Sequence, residues 1–459
     1  AFDQALAEQI DARVQAMGAD GKLVFCTRNG GVCQVNLLEK LLVPLLCKLG
    51  NLVVDGGIWL NTQRPEWNDA NNAIVGHGLS VVTTYYLRRY VRFLQDLLAD
   101  ETAPFAISAE VSQWFADTAH ALRQVRPLLG DQPISEAHRF ETLVALGEAA
   151  SRYRQTVYQQ EGFSGTVDLP AEQVTALLAD ALAAIDQTIA TNRRSDGLFH
   201  AYNLLDLRNE AAAVDRLYPM LEGQVAALSS GAVPPETAVA VVEALFDSDL
   251  YRPDQHSFML YPDRQLPGFL EKNRIPERGL DGLPVIQRML ANGDERIVLQ
   301  DGDGCYRFNA DFRNAADLRA QIQALMPEYG VELESAARPL TELYETVFRH
   351  KQFTGRSGTM FGFEGLGCIY WHMVAKLMLA VQENFFATSH EDGDESTRQR
   401  LGELYYRVRH GIGFNKTPGD YGAFPTDPYS HTPRDAGAGQ RGMSGQVGEG
   451  GLWRCGGVG

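Results

Sequence analysis

Between Arg64 and Gly78 the chain carries an Arg, two carboxylates, three amides, a Trp and a His: Arg64-Pro65-Glu66-Trp67-Asn68-Asp69-Ala70-Asn71-Asn72-Ala73-Ile74-Val75-Gly76-His77-Gly78. A carboxyl in such a set can protonate a leaving group, the amides can hold hydroxyls, and the Trp can lie against a ring. A helix-like run rich in Tyr and Arg, Leu79–Leu98, follows, so the cluster sits on a loop that enters a helix. Rigid scaffolds tend to present catalytic groups on such loops. The bland reading is that Asn68 or Asp69 caps that helix. Capping explains one residue and leaves Glu66, Trp67, Asn71 and Asn72 unexplained.

A second cluster runs Thr354-Gly355-Arg356-Ser357-Gly358-Thr359-Met360-Phe361-Gly362-Phe363-Glu364-Gly365-Leu366-Gly367. So many glycines in one run imply unusual backbone angles or close backbone approach. The run opens an apolar helix expected over Cys368–Val381, which carries Tyr370, Trp371 and His372. Glu364 either complements that helix's dipole or serves as a catalytic carboxylate opposite Asp69. Arg356, Ser357, Gly358 and Thr359 could hold an anion through guanidinium and backbone N–H contacts, but the run lacks the Lys of a P-loop. A third cluster, Gly411–Pro433, is rich in aromatics, Pro and polar groups, including Tyr421, Phe424, Asp427, Tyr429 and His431. It reads as an ordered loop that closes over a site, with Tyr429 offering a stacking face and His431 a polar contact, or else as a loop packed by its own side chains.

Trp67-Asn68-Asp69, followed by a small residue and Asn71, resembles the Trp-Asn-Asp-Gly-Met-Asn loop of inverting enzymes of the cellobiose-phosphorylase type. Those enzymes belong to a wider group of glycosidases and phosphorylases built on an (α/α)6 toroid. The resemblance spans about a dozen residues and departs where Gly-Met becomes Ala70-Asn71. It implies that Asp69 is the general acid. Trp67 could raise its pKa by desolvation.

Glycoside cleavage needs a protonated carboxyl at the leaving oxygen and a base or nucleophile on the other face, ~6.5–9.5 Å apart for inversion and ~5–5.5 Å for retention. Glu364 is the best available base, with Glu66, Asp427 and Glu449 as substitutes. The sequence therefore predicts a glycoside hydrolase using Asp69 and Glu364. Arg64, Trp67, Asn68, Asn71, Asn72, Arg356, Trp371, His372, Tyr429 and His431 would bind the oligo- or polysaccharide. The alternative is a glycoside phosphorylase, in which phosphate takes the place of water, no base is needed, and Arg356, Ser357, Thr359 and His431 bind it. A non-catalytic helical protein that binds a glycan or another protein is a rival from a different class. An esterase ranks lower, because Gly-Phe-Ser-Gly (162–165) and Gly-Met-Ser-Gly (442–445) miss the Gly-x-Ser-x-Gly spacing.

The elements that must position these clusters read as mainly helical. Phe2, Leu6, Ile10, Val14 and Met17 recur at helical spacing. Gly21–Cys33 reads as a turn or small hairpin. Further helices are expected over Asn36–Gly50, Ser108–Leu129, Ser135–Gln160, Pro170–Asn192, Leu204–Ser229, Pro234–Phe246, Asn314–Leu325, Ala336–Lys351, Leu366–Phe386 and Glu395–His410. Tyr251–Arg278 is irregular. Glu295–Gln300 and Cys305–Asn309 flank an Asp-Gly turn and form a β-hairpin; an EF-hand fails there because Phe312 stands where the bidentate Glu should be. The expected fold is mainly α, an (α/α) toroid or helical barrel with one small β-hairpin. A catalytic domain over 1–435 would carry an irregular insertion at about 249–310, ahead of a Gly-rich flexible tail over 436–459.

A chain of 459 residues with a formal charge of -17 argues against nucleic-acid or anionic-membrane partners, which select basic surfaces. No apolar run looks long enough to span a membrane, Leu37–Leu49 coming nearest. The six Cys are not spaced as zinc ligands, so neither a metal nor another cofactor is expected. Cys47 and Cys368 lie in apolar runs and read as buried thiols, and a Cys26–Cys33 bridge is open. Compartment stays open between cytoplasm and periplasm. Ala1 in place of Met leaves open whether a leader was removed or the chain is a fragment.

Overall fold

The computed structural model describes residues 4–23, 25–26, 31–61, 74–159, 162–260, 262, 267–349, 369, 371–388 and 395–412. The chain divides into two compact units, one formed by 1–59, 79–245 and 376–405, the other by 60–78, 246–375 and 406–459.

The first unit opens with α1 (Gln4–Met17), which buries none of its residues, and a two-stranded ribbon of β1 (Phe25–Cys26) and β2 (Gly31–Val32). Cys33 is disulfide-bonded. In α2 (Leu37–Leu49) the Asn36 side chain caps the first turn by accepting from the Glu39 N–H at 2.9 Å, the orphan-donor satisfaction an N-cap provides. Leu38, Leu42, Leu45, Leu46 and Leu49 form the buried face of α2. Cys47 falls off that face and is exposed, not the buried thiol its apolar neighbours suggest.

Strands β3 (Leu52–Val53), β4 (Gly57–Trp59) and β5 (Gly78–Ser80) follow. Helix α3 (Val81–Leu97) leads to strand β6 (Phe105–Ser108), α4 (Ala109–Val125) and α5 (Glu136–Gln159). Strand β7 (Thr166–Leu169) pairs antiparallel with β6, with Ser108 opposite Thr166. Helix α6 (Ala171–Thr191) is the one described helix long and apolar enough to cross a membrane by length and composition, so it, not Leu37–Leu49, comes nearest to a span. Here it is a core helix, burying Val174, Leu177, Leu178, Ala181, Ala184 and Ile185.

The expected helix Leu204–Ser229 is replaced over its first half by a β-hairpin, β8 (Tyr202–Arg208) and β9 (Ala211–Arg216), before a short helix, α7 (Leu221–Ser229). Arg208 pairs with Ala211, leaving Asn209 and Glu210 as a two-residue turn, both left-handed at φ 47° and 60°. Two positive φ values mark the type I′ geometry that matches strand twist. The five strands join in the order β3-β4-β5-β8-β9. Val53, Leu79, Leu143, Leu205 and Ala212 share one core cluster on this sheet. A mainly helical fold is therefore confirmed, with thirteen helices among the described residues, but its β-structure exceeds the single hairpin expected. Helix α8 (Pro235–Phe246) ends this part of the chain.

In the second unit, β10 (Tyr251–Arg252) and β11 (Ser257–Phe258) form a short ribbon. They precede α9 (Phe269–Lys272) and α10 (Pro284–Ala291). Strands β12 (Val298–Gln300) and β13 (Tyr306–Phe308) make the expected Asp-Gly hairpin. The Asp301 carboxylate accepts from the backbone N–H of Asp303 and Cys305 and is paired with Arg307, so local partners occupy it. The two helices expected over Asn314–Leu325 and Ala336–Lys351 run as α11 (Ala315–Phe348), broken at Gly330, whose φ of 53° and ψ of -143° interrupt the helical conformation. Phe308, Tyr344 and Phe348 centre a core whose buried residues, among those described, lie between Ile275 and Phe348, with Phe269 packed against it. The ring centroids of Tyr344 and Phe348 lie 4.5 Å apart, and those of Phe308 and Tyr344 4.9 Å. Asn273 ties the hairpin to this core by donating to the Phe308 carbonyl and accepting from the Phe308 N–H. Helices α12 (Trp371–Thr388) and α13 (Glu395–Ile412) complete the described chain.

Candidate functional site

The segment bearing Asp69 is strung between two neighbouring strands. Ile58 pairs with Ser80 and Trp59 with Leu79 in antiparallel register. The ladder continues through Leu60 N–H to Gly78 O (2.9 Å) and Gly76 N–H to Leu60 O (2.6 Å). The returning chain makes a tight turn at Ile74–His77. Gly76 sits at φ 89°, and a Cβ at Gly78 would lie 2.4 Å from Ile74, so neither position tolerates a side chain without strain. Ile74 is fully buried and pins the turn. Leu60 is thereby held to both Gly76 and Gly78 where the chain passes between β4 and β5. Arg64, Trp67, Asn68, Asp69, Asn71 and Asn72 belong to this passage and lie outside the described residues.

The cap of the helix that follows is Ser80. Its Oγ accepts from the Thr83 N–H at 3.0 Å. Capping of α3 is therefore accounted for without Asn68 or Asp69, and the bland explanation of those residues lapses for this helix.

Arg356 and Glu364 also lie outside the described residues, between the left-handed Arg349 that ends α11 and the buried Ile369. The helix they precede begins at Trp371 rather than Cys368, and its first turn holds no acidic residue. Glu364 precedes that start and lies outside the described residues. Trp371 opens α12, and its side chain lies outside the described residues; His372 is exposed in the same turn. Tyr429 and His431 follow Ile412 and fall outside the described residues. Among the described residues no group of three or more His, Cys, Asp or Glu could hold a metal ion.

At the other end of β4 the structure reveals a polar hub that sequence reasoning missed. Asp55, fully buried at φ 64°, turns the chain from β3 into β4. Its carboxylate accepts from Arg139 Nη2 (2.9 Å), the Ile134 N–H (2.9 Å) and Gln187 Nε2 (3.2 Å). Its N–H donates to Thr188 Oγ1, and its carbonyl accepts from Asn192 Nδ2 and Arg216 Nη1. Arg139 donates further to the carbonyls of Val54, Ala212 and Ile134. Asn203 Nδ2 donates to the Gly56 carbonyl. The next residue, Gly57, is required by its φ of 123° and by the Ser80 backbone, 2.9 Å from where a Cβ would stand. Asp55-Gly56-Gly57 alone signals only a turn; the partners, spread from Ile134 to Arg216, give no local pattern. In the same unit His200 donates its Nδ1–H to the Leu217 carbonyl at 2.9 Å, and burial, aided by Arg194 and Arg216, pushes its imidazole down to about 4.

The core between Ile275 and Phe348 falls within the segment that a known family model matches. Residues 266–351 match the family model for GH149 phosphorylase insertion domain 2. The match connects this part of the chain with a glycoside phosphorylase family. No curated protein matches the chain significantly.

Proposed function

We propose that this protein is a carbohydrate-active enzyme, a glycoside phosphorylase acting on an oligo- or polysaccharide. The observation that carries the reading is the match of residues 266–351 to an insertion domain of a phosphorylase family, in a chain whose Trp67-Asn68-Asp69 segment resembles the acid loop of phosphorylases. It favours phosphorolysis over the hydrolysis that the paired carboxylates first suggest. An (α/α) toroid, the scaffold of the resembled enzymes, belongs to the same proposal, as does a catalytic domain with the matched segment inserted in it.

In this reading Asp69 carries the proton. It passes it to the glycosidic oxygen as the bond from that oxygen to the anomeric carbon breaks. A phosphate oxygen attacks the same carbon from the opposite face, so the products are a sugar 1-phosphate of inverted configuration and a shortened glycan. Phosphate arrives as a nucleophile and needs no carboxylate base. Glu364 is then released from proton transfer to bind substrate hydroxyls. Arg356 would grip phosphate through its planar fork of donors, with Ser357, Thr359 and His431 beside it. Arg64, Trp67, Asn68, Asn71, Asn72, Trp371, His372 and Tyr429 would line the sugar subsites.

Two variants assayed on a panel of oligosaccharides with phosphate present test the assignment. Asp69→Asn should lower sugar 1-phosphate formation by roughly 10²–10⁴, the usual share of a general acid. Glu364→Gln should retain most of the rate. Equal, near-complete losses in both would restore the two-carboxylate mechanism, and full activity in Asp69→Asn would remove the acid assignment.

A further inference from the structure

Helices α3 and α12 are joined by an ion pair, Arg89 with Glu383, in which Arg89 Nη1 donates to both carboxylate oxygens at 2.9 and 3.2 Å. The C-terminal end of α7 lies at the same junction: the Ser229 carbonyl accepts from Arg89 and the Leu228 carbonyl from Asn384 Nδ2. Tyr86, Arg89 and Phe93 follow at i, i+3 and i+7 along α3, and Leu379, Glu383 and Phe386 at i, i+4 and i+7 along α12. Each set therefore shares one helix face. Each face contains one member of the ion pair, so the two flank the same strip of surface. Tyr86 is 40% exposed, Phe93 52%, Leu379 53% and Phe386 53%. Large apolar groups gathered in this way, as opposed to scattered singly, mark an interaction surface.

The polar groups on the strip identify the chemistry of its occupant. Glu222, in the first turn of α7, accepts from the Tyr202 hydroxyl at 2.9 Å. Burial, then the charges of Glu222 and Glu383, push the Tyr86 phenol above its ordinary value, so a neutral hydroxyl stands near both carboxylates. Two carboxylates and one guanidinium leave an excess of negative charge, which favours an uncharged ligand over an anionic one. A second copy of this chain would bring another formal charge of -17 to the face. A protein partner would also strip water from Arg89 and Glu383, a cost recovered only with excellent geometry. Sugar hydroxyls can replace that water with hydrogen bonds of their own to the carboxylates and the guanidinium. Residues seven apart on a helix stand about 10.5 Å apart along its axis, room for roughly two consecutive sugar units.

We propose that the strip between α3 and α12 binds a linear, uncharged oligosaccharide. The chain lies along the helices, with Tyr86, Phe93 and Phe386 against its rings and Arg89, Glu222 and Glu383 on its hydroxyls. The class of ligand rests on the carbohydrate-active reading above; the place and the residues rest on the helices alone. Tyr86 stands on the second turn of α3, ~9 Å of helix from the Ser80 cap. Ser80 ends β5, the strand on which the chain returns from the Asp69 segment. A site of this length selects for longer chains rather than for the bond that breaks.

Binding measured apart from phosphorolysis tests the site. Malto-, cello-, laminari- and xylo-oligosaccharides, from disaccharide to hexasaccharide, should be titrated into the protein by calorimetry with phosphate omitted. Affinity should rise with chain length in at least one series. Phe93→Ala and Phe386→Ala should each weaken binding of the longest chain roughly tenfold, about half of what burying a Phe side chain contributes. Glu383→Gln should weaken it as well. Both Phe rings are half-exposed, so thermal melts should show these variants folded. Affinity unchanged in the variants, or no binding in any series, overturns the site. Sedimentation in which wild type self-associates and Phe93→Ala does not, with equal glycan affinity in both, assigns the strip to a second copy and also overturns it. A protein that binds glycan through these residues but yields no sugar 1-phosphate in a separate assay loses the phosphorylase reading and keeps this site.

Discussion

At the scale of single residues, the firmest statement concerns Asp55 and Arg139. Both side chains are almost wholly buried, and each satisfies the other together with several backbone groups. Arg139→Ala would leave the Asp55 carboxylate buried without its cation, and breaking such a pair costs about 3–5 kcal/mol. Urea denaturation should show that loss as a lower midpoint, and a change below about 1 kcal/mol would mean that water or Arg216 replaces Arg139. His200 offers a second test. Its folded-state value lies below the unfolded one, so the unfolded chain binds the extra proton between these values. The stability it contributes is present above its unfolded pKa near 6.5 and is lost as pH falls toward 4. Between pH 7 and pH 5 this amounts to about 2 kcal/mol. Unfolding at the two pH values, with His200→Gln as the comparison, should show the extra slope in wild type alone. The sequence could not show either residue's role, because burial and partners from remote positions create both.

At the scale of elements, the helices were largely readable and the sheet was not. Apolar periodicity and end signals located α2, α4, α5, α6 and α8 to within a few residues. The hairpin β8–β9 escaped because Ala211, Ala212 and Ala213 favour helix in isolation, while pairing with β8 and burial of Ala212 against Val53 and Leu205 override that preference. The turn itself held the clue: Asn209 tolerates a left-handed backbone, whereas Glu210 at φ 60° bears strain. Glu210→Gly creates the Asn-Gly pair that type I′ turns prefer. It should raise stability by about 0.5–1 kcal/mol, read from thermal melts. A loss instead would show that Glu210 makes a contact outweighing its strain. Gly330 agrees with the sequence, which suggested two helices here: its non-helical backbone kinks α11 into two helical stretches.

At the scale of the whole molecule, the candidate site was legible as chemistry and illegible as geometry. Residue types marked Asp69, Arg356 and Glu364, and the fold supplies the strand pair that holds the ends of the Asp69 segment and the Ser80 cap that frees Asn68 and Asp69 from that duty. No local pattern carried the identity of residues 266–351, since a core of Phe308, Tyr344 and Phe348 is compatible with many functions. That segment's match is what moved the balance from water to phosphate as the acceptor of the glycosyl group. Phosphate dependence is accordingly the most direct test. The purified protein should be incubated with a panel of oligosaccharides, with and without inorganic phosphate, and its products separated. Phosphorolysis predicts sugar 1-phosphate and a shortened glycan only when phosphate is present. Free reducing sugar released at the same rate in its absence would contradict it.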